Sequence, residues 1–170
     1  MSLHPFDKLP LSTGGALIFT PCPGTKAASL RDSLAQLKAA GAEAVITLMP
    51  NDEMVRNGVA DLPDACRSTQ LEWFHFPIED DASPGEAFRQ AWEAGKGRVF
   101  EILGRSGSVA IHCKGGSGRT GLMAAITLCE RGMQHDRILD QVTSLRPNAL
   151  KLAGHKDYLA QACEARHSKG

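Results

Sequence analysis

A chain of 170 residues, 42% hydrophobic and 22% charged, has the length and apolar content of one globular domain with a core of ordinary size. Nineteen basic residues balance nineteen acidic ones, so no global field draws it to nucleic acid or to an anionic membrane. Any selectivity for charge must therefore be local. The start, MSLHPFDKLP, lacks the basic flank and apolar run of a signal peptide, and no stretch approaches the roughly 18 uninterrupted apolar residues of a membrane helix. The five cysteines (Cys22, Cys66, Cys113, Cys129, Cys163) are odd in number and scattered, which reads as reduced thiols in a cytoplasmic protein. None has CxxC spacing, so no zinc is expected.

In chain order, ALIFT (16–20) is a short apolar run between glycines and Pro21 and reads as a strand. After the turn PCPGT, SLRDSLAQLKAAGA places Leu30, Leu34 and Leu37 at helical spacing, with Gly41 as the stop. AVITLM (44–49), LEWFHF (71–76) and SVAIH (108–112) read as three more strands. Ahead of the last, SPGE (83–86) predicts a helix start, with Ser83 as N-cap, Pro84 at the first position and Glu86 closing a capping box, the helix running to about residue 104. From Arg119, Leu122, Ala125, Ile126 and Cys129 form a helical stripe that ends at Gly132. Helices at about 134–145 and 151–165 follow, separated by RPN. The order β, α, β, α, β, α, β and then helices predicts an α/β domain with a central, largely parallel sheet flanked by helices, with residues 1–170 as a single domain.

Residues 112–121, HCKGGSGRTG, lie between a buried strand and a helix start. Glycine adds nothing to a core and costs backbone entropy, so the run Gly115, Gly116, Ser117, Gly118 is shaped for close approach to its backbone. The N–H groups of such a loop, with the unpaired N–H groups of the helix behind it, point into one concavity that attracts an anion. Arg119 adds a planar two-pronged grip on two oxygens, which suits phosphate. Cys113 sits at the floor, where the same dipoles favour a thiolate and hence a nucleophile. The nucleotide-binding pattern GxxxxGK[ST] is excluded, because Arg119-Thr120 stands where it requires lysine before the hydroxyl residue.

HCKGGSGRTG resembles the HCxxGxxR[ST] signature of the cysteine-dependent phosphatases, in particular the dual-specificity branch. PIEDDASP (77–84) resembles the general-acid loop of the cyclin-dependent-kinase-associated phosphatases and the phosphatases of regenerating liver, where an aspartate precedes a proline by four positions. PCPGTK (21–26), ITLMPNDEM (46–54) and LRPNALKLAGHKDYL (145–159) are similar to the kinase-associated group, so the resemblance spans about residues 16–160. It implies that Cys113 attacks phosphorus, that Arg119 and the amides of residues 114–119 hold the equatorial oxygens, and that Asp80 is the general acid. Thr120 then stabilises the leaving thiolate, His112 orders the loop through its ring N–H, and neither metal nor cofactor is required. Asp81 and Glu79 are the neighbouring alternatives to Asp80.

Lys114 either adds positive charge at the rim or is merely solvated, and Arg146 either supports the loop from behind or offsets a helix dipole. Trp73 and Phe76 read as core. Where the related enzymes place a glutamine three residues before the aromatic of the last helix, this chain has His155 before Tyr158. Cys22, at the end of the first strand, is a candidate redox partner for Cys113. No extra segment builds a deep phosphotyrosine pocket, which leaves phosphothreonine and phosphoserine open. The expectation is a monomeric cytoplasmic phosphatase of phosphotyrosine and phosphothreonine proteins, with no nucleic acid partner and no membrane insertion. A phosphoinositide or other non-protein phosphatase, and an inactive phosphate-binding module, are the alternatives.

Overall fold

The computed structural model describes residues 2–169. In chain order it forms β1 (Asp7–Pro10), β2 (Ala16–Thr20), α1 (Leu30–Ala39), β3 (Ala42–Thr47), α2 (Asn51–Arg56), α3 (Leu62–Ser68) and β4 (Glu72–His75). There follow α4 (Glu86–Gly104), β5 (Ser108–His112), α5 (Gly118–Glu130), α6 (His135–Leu145) and α7 (Ala153–Lys169). The strands make one sheet in the order β1-β2-β5-β3-β4, parallel except for the β1–β2 pair. β5, the last strand in the chain, is thus the central one.

Alternation along the strands divides the apolar side chains between two cores. Leu17, Phe19, Ile46, Val109 and Ile111 join residues of α4, α5, α6 and α7 on one face, while Ile18, Val45 and Ala110 meet α1 and α3 on the other. Covering both faces is what makes ALIFT and SVAIH near-continuous apolar runs. Those two coincide residue for residue with β2 and β5. The sheet confirms the expected α/β class; β1, α2 and α3 are additions for which the sequence showed no periodic run. β1 buries only Leu9, and α2 and α3 have six and seven residues, too few to display a helical stripe.

Two expectations need correction. α4 starts at Glu86 with Gly85 as N-cap and no side-chain cap, so the SPGE box does not form. Ser83 is instead held against α7: a Cβ on Gly154 would lie 2.0 Å from Ser83 Oγ. The five cysteines are not all free thiols either. Cys129 and Cys163 form a disulfide with Cα atoms 5.6 Å apart, because α5 and α7 pack side by side; Cys22, Cys66 and Cys113 are free. A separation of 34 residues carries no local spacing signal. Among the described residues no helix is long and apolar enough to cross a membrane.

Phe88 of α4 packs edge-on against both Phe76 and Tyr158 and is fully buried, so it joins the sheet side to α7. Phe88→Ala is expected to lower the unfolding free energy by about 3–5 kcal/mol, read from denaturant titration.

Candidate active site

The parallel strands end at one edge of the sheet, and β5 delivers His112 and Cys113 there between the ends of β2 and β3. The pairing continues beyond the strands, since Leu48 N–H donates to His112 O (3.1 Å) and Cys22 N–H to Lys114 O (2.9 Å). The loop that follows turns back over this edge. Gly116 has φ +80°, and a Cβ there would lie 2.6–2.7 Å from the Thr20 carbonyl group and Pro21 N, so position 116 accepts only glycine. The turn brings Gly116 N–H onto Cys113 Sγ at 3.2 Å, and Thr120 Oγ1–H donates to the same sulfur at 3.2 Å. Two donors aimed at one buried sulfur stabilise negative charge on it.

Arg119, in the first turn of α5, is 3% exposed. Its Nη1–H and Nη2–H donate to the two oxygens of Glu53 at 2.8 Å each, and the second Nη1–H donates to Ile78 O at 2.9 Å. Asp80 Oδ1 lies 3.5 Å from Nη2. Of the five guanidinium N–H groups, three are thus hydrogen-bonded to the protein, and Nε–H and the second Nη2–H, which share one edge with Asp80 at its Nη2 end, carry no hydrogen bond to the described residues. Burial works against the charge, but the hydrogen bonds to Glu53 and the nearby Cys113, Glu53 and Asp80 outweigh it, so the Arg119 pKa is raised further. Glu53, 6% exposed, is the site residue that sequence reasoning passed over. Its only advance signal was an acidic residue in the turn after a parallel strand, within the NDEM segment.

His112 is fully buried, and its Nδ1–H donates to the acceptor-only carbonyl of Cys113 at 3.0 Å. Nε2 is then the acceptor, and it takes the Thr47 hydroxyl at 2.7 Å, while Thr47 Oγ1 accepts Trp73 Nε1–H at 2.8 Å. Trp73, read as core, is thus also the outer end of a chain that orients the loop. Burial lowers the His112 pKa to about 4 against the pull of the Cys113 carbonyl, with His4, Arg119 and His75 adding to the depression.

The remaining candidates have distinct places. Arg146 Nε–H donates to Gly116 O (2.7 Å) and Nη2–H to Phe19 O (3.3 Å), which puts it behind the loop; Nη1–H also reaches Leu145 O at the end of α6. Both readings of this residue describe it. Lys114 and Gly115 are exposed at the rim, and Ser117 and Gly118 half-buried. Glu79, Asp80 and Asp81 are exposed, but only Asp80 contacts Arg119. Phe76 is core, as read. Cys22 is buried beside the loop, its thiol pushed up to about 12 by burial first and then by Cys113 and Glu53. His155 Nε2–H donates to Ala82 O at 2.8 Å, outside the loop of Cys113.

Removing the Glu53 carboxylate strands a buried guanidinium. Glu53→Ala is expected to cost about 3–5 kcal/mol of stability and to weaken oxyanion binding, measured by thermal melting with and without vanadate. A second expectation follows from His112. Its pKa is about 4 folded against 6.5 unfolded, so between those values the unfolded chain binds more protons. Stability is then complete above pH 6.5 and falls on acidification by up to about 3 kcal/mol at pH 4. Urea titrations at pH 7.5 and 4.5 should show this loss, and His112→Asn should shrink it.

No curated protein matches the chain significantly. Among solved structures, the kinase associated phosphatase (KAP) with its catalytic cysteine replaced by serine superposes with a TM-score of 0.84 at 20% identity, covering 98% of both chains. Tk-PTP in its active form gives 0.66 at 26% identity, covering 89% of this chain and 94% of that one. PTPMT1 in complex with PI(5)P gives 0.72 at 12% identity, covering 95% and 97%. The family described as "PTP-SAK: Swiss Army Knife protein, DSP-PTPase phosphatase domain" matches residues 23–169, and the chain belongs to it.

Proposed function

We propose that this protein is a cysteine-dependent phosphatase that hydrolyses phosphate monoesters through a cysteinyl-phosphate, with phosphotyrosine and phosphothreonine proteins as substrates. The observation that carries the reading is Cys113 Sγ under two hydrogen-bond donors beside an arginine with one edge uncommitted. In the first step Sγ attacks phosphorus in line as the ester P–O bond breaks, and Asp80 gives its proton to the leaving oxygen. Arg119 and the loop amides hold the equatorial oxygens as charge redistributes. In the second step Asp80 takes a proton from water, whose oxygen attacks phosphorus. The P–S bond breaks and Thr120 and Gly116 receive the departing thiolate. The loop amides and Arg119 supply the positive charge that the phosphoryl oxygens meet.

One observation favours a second substrate class. Lys114 is exposed directly after the nucleophile, where a second phosphate could meet it, and a fold relative was solved with a phosphoinositide. The third reading, an inactive phosphate-binding module, would tolerate loss of Cys113 or Asp80, and both are present.

Phosphate release from phosphopeptides and soluble phosphoinositides tests the substrate class. Cys113→Ser should abolish turnover while retaining vanadate binding; residual full activity would sink the mechanism. Asp80→Asn should cut kcat by about 100-fold on an unactivated ester and only slightly on an activated aryl phosphate. The same signature in Asp81→Asn instead would move the acid by one position.

A further inference from the structure

The acid loop joins β4 to α4, and its ends are fixed by burial. Ile78 is 1% exposed and donates its N–H to Leu48 O at 2.8 Å, and Pro84 is buried at the other end. Between them Glu79, Asp80, Asp81 and Ser83 are exposed and Ala82 half-buried, so this stretch has no core of its own to hold it. It is nonetheless tightly turned: Ala82 N–H donates to Glu79 O at 3.1 Å, and Asp81 takes the left-handed φ of +59°. Among the described residues, two side chains from outside the loop make polar contacts with residues 79–83. One is Arg119, near Asp80, and the other is His155.

His155 differs from a surface histidine that happens to touch a loop. The residue is 2% exposed, although it stands near the start of α7 beside an exposed segment. The Ala82 carbonyl can only accept, so Nε2 carries the proton and donates along the 2.8 Å contact. Gly154, the preceding residue, has no side chain where Ser83 Oγ presses against α7, and this permits the close approach. α7 is itself anchored, by the Cys129–Cys163 disulfide to α5 and by the Tyr158 ring edge-on to Phe88 of α4. A donor on an anchored helix therefore grips the loop two residues beyond Asp80.

The geometry points to His155 as a positioning residue for proton transfer, which holds Ala82 so that Asp80 stays at the Arg119 side of the site. This inference rests on the phosphatase reading above, with Asp80 as the acid. Loss of the grip leaves Cys113, Arg119 and their loop intact and lowers the fraction of molecules in which Asp80 can protonate the leaving group. The defect is therefore confined to esters that need a proton.

The test compares wild type with His155→Phe, which keeps a ring but no donor, and His155→Gln, which keeps an N–H donor. Each is assayed on an activated aryl phosphate and an unactivated phenyl phosphate, alone and in the Asp80→Asn background. His155→Phe should lose about tenfold in kcat on the unactivated ester and less than about twofold on the activated one, with KM little changed. His155→Gln should recover to within about threefold of wild type, and neither substitution should cost anything further once Asp80 is Asn. Amide hydrogen exchange across residues 79–83 should speed up in His155→Phe and not in His155→Gln. Should His155→Phe fail to fold, His155→Ala carries the same comparison. Equal losses on both esters, no recovery with Gln, additive loss in the Asp80→Asn background or unchanged exchange would each overturn the assignment. Failure of wild type to hydrolyse either ester would overturn the phosphatase reading and this one with it; normal wild-type turnover without the leaving-group signature overturns only the role of His155.

Discussion

A guanidinium carried almost completely out of water is the constraint around which the site is built. Burying a cation costs several kcal/mol unless it is paired and its donors are satisfied. Arg119 meets both conditions only because two separate segments converge on it: α2, which supplies Glu53, and the stretch between β4 and α4, which supplies the Ile78 carbonyl and Asp80. The pairing is asymmetric in a useful way. Glu53 takes the outer end of the guanidinium, which fixes its plane and leaves the Nε side directed elsewhere. One buried ion pair thus stabilises the convergence of these segments and fixes the direction of the remaining guanidinium edge.

The sheet makes that convergence geometrically available. Because β2, β5, β3 and β4 run parallel, their carboxyl ends share an edge, and the segments after them meet there without long excursions. Gly116 sets how tightly the loop closes on this edge, lying against Thr20 and Pro21 at a distance no side chain permits. Arg146 fastens the same glycine's carbonyl from behind, and the Trp73–Thr47–His112 chain fastens the Cys113 carbonyl from below. Each of these fixes a backbone group of the loop and leaves the concave side free.

Legibility in the sequence followed the range of the interaction. HCKGGSGRTG was readable because cysteine, glycine loop and arginine are contiguous and their arrangement depends on spacing along the chain. β2 and β5 were readable to the residue because burial on both faces leaves an unbroken apolar run. Glu53 was not readable, since 66 residues separate it from Arg119 and one acidic residue in a short helix looks like any solvated charge. Ser83 looked like a helix cap by local rules, and packing against Gly154 of α7 took it away from that task. The Cys129–Cys163 bond escaped for the same reason, because only the side-by-side packing of two helices brings those sulfurs together.

By itself, then, the sequence determined the class of fold and the Gly-rich loop between a central strand and a helix start, with Cys113 and Arg119 at its two ends, because alternation, glycine chemistry and helix-start spacing are properties of neighbouring residues. Only the tertiary structure decided which acid of Glu79, Asp80 and Asp81 approaches Arg119, which carboxylate neutralises that arginine, and which cysteines are bonded to each other. Those choices turn on distances between segments far apart in the chain, and such distances exist only once the sheet order β1-β2-β5-β3-β4 has brought the strand ends to a common edge.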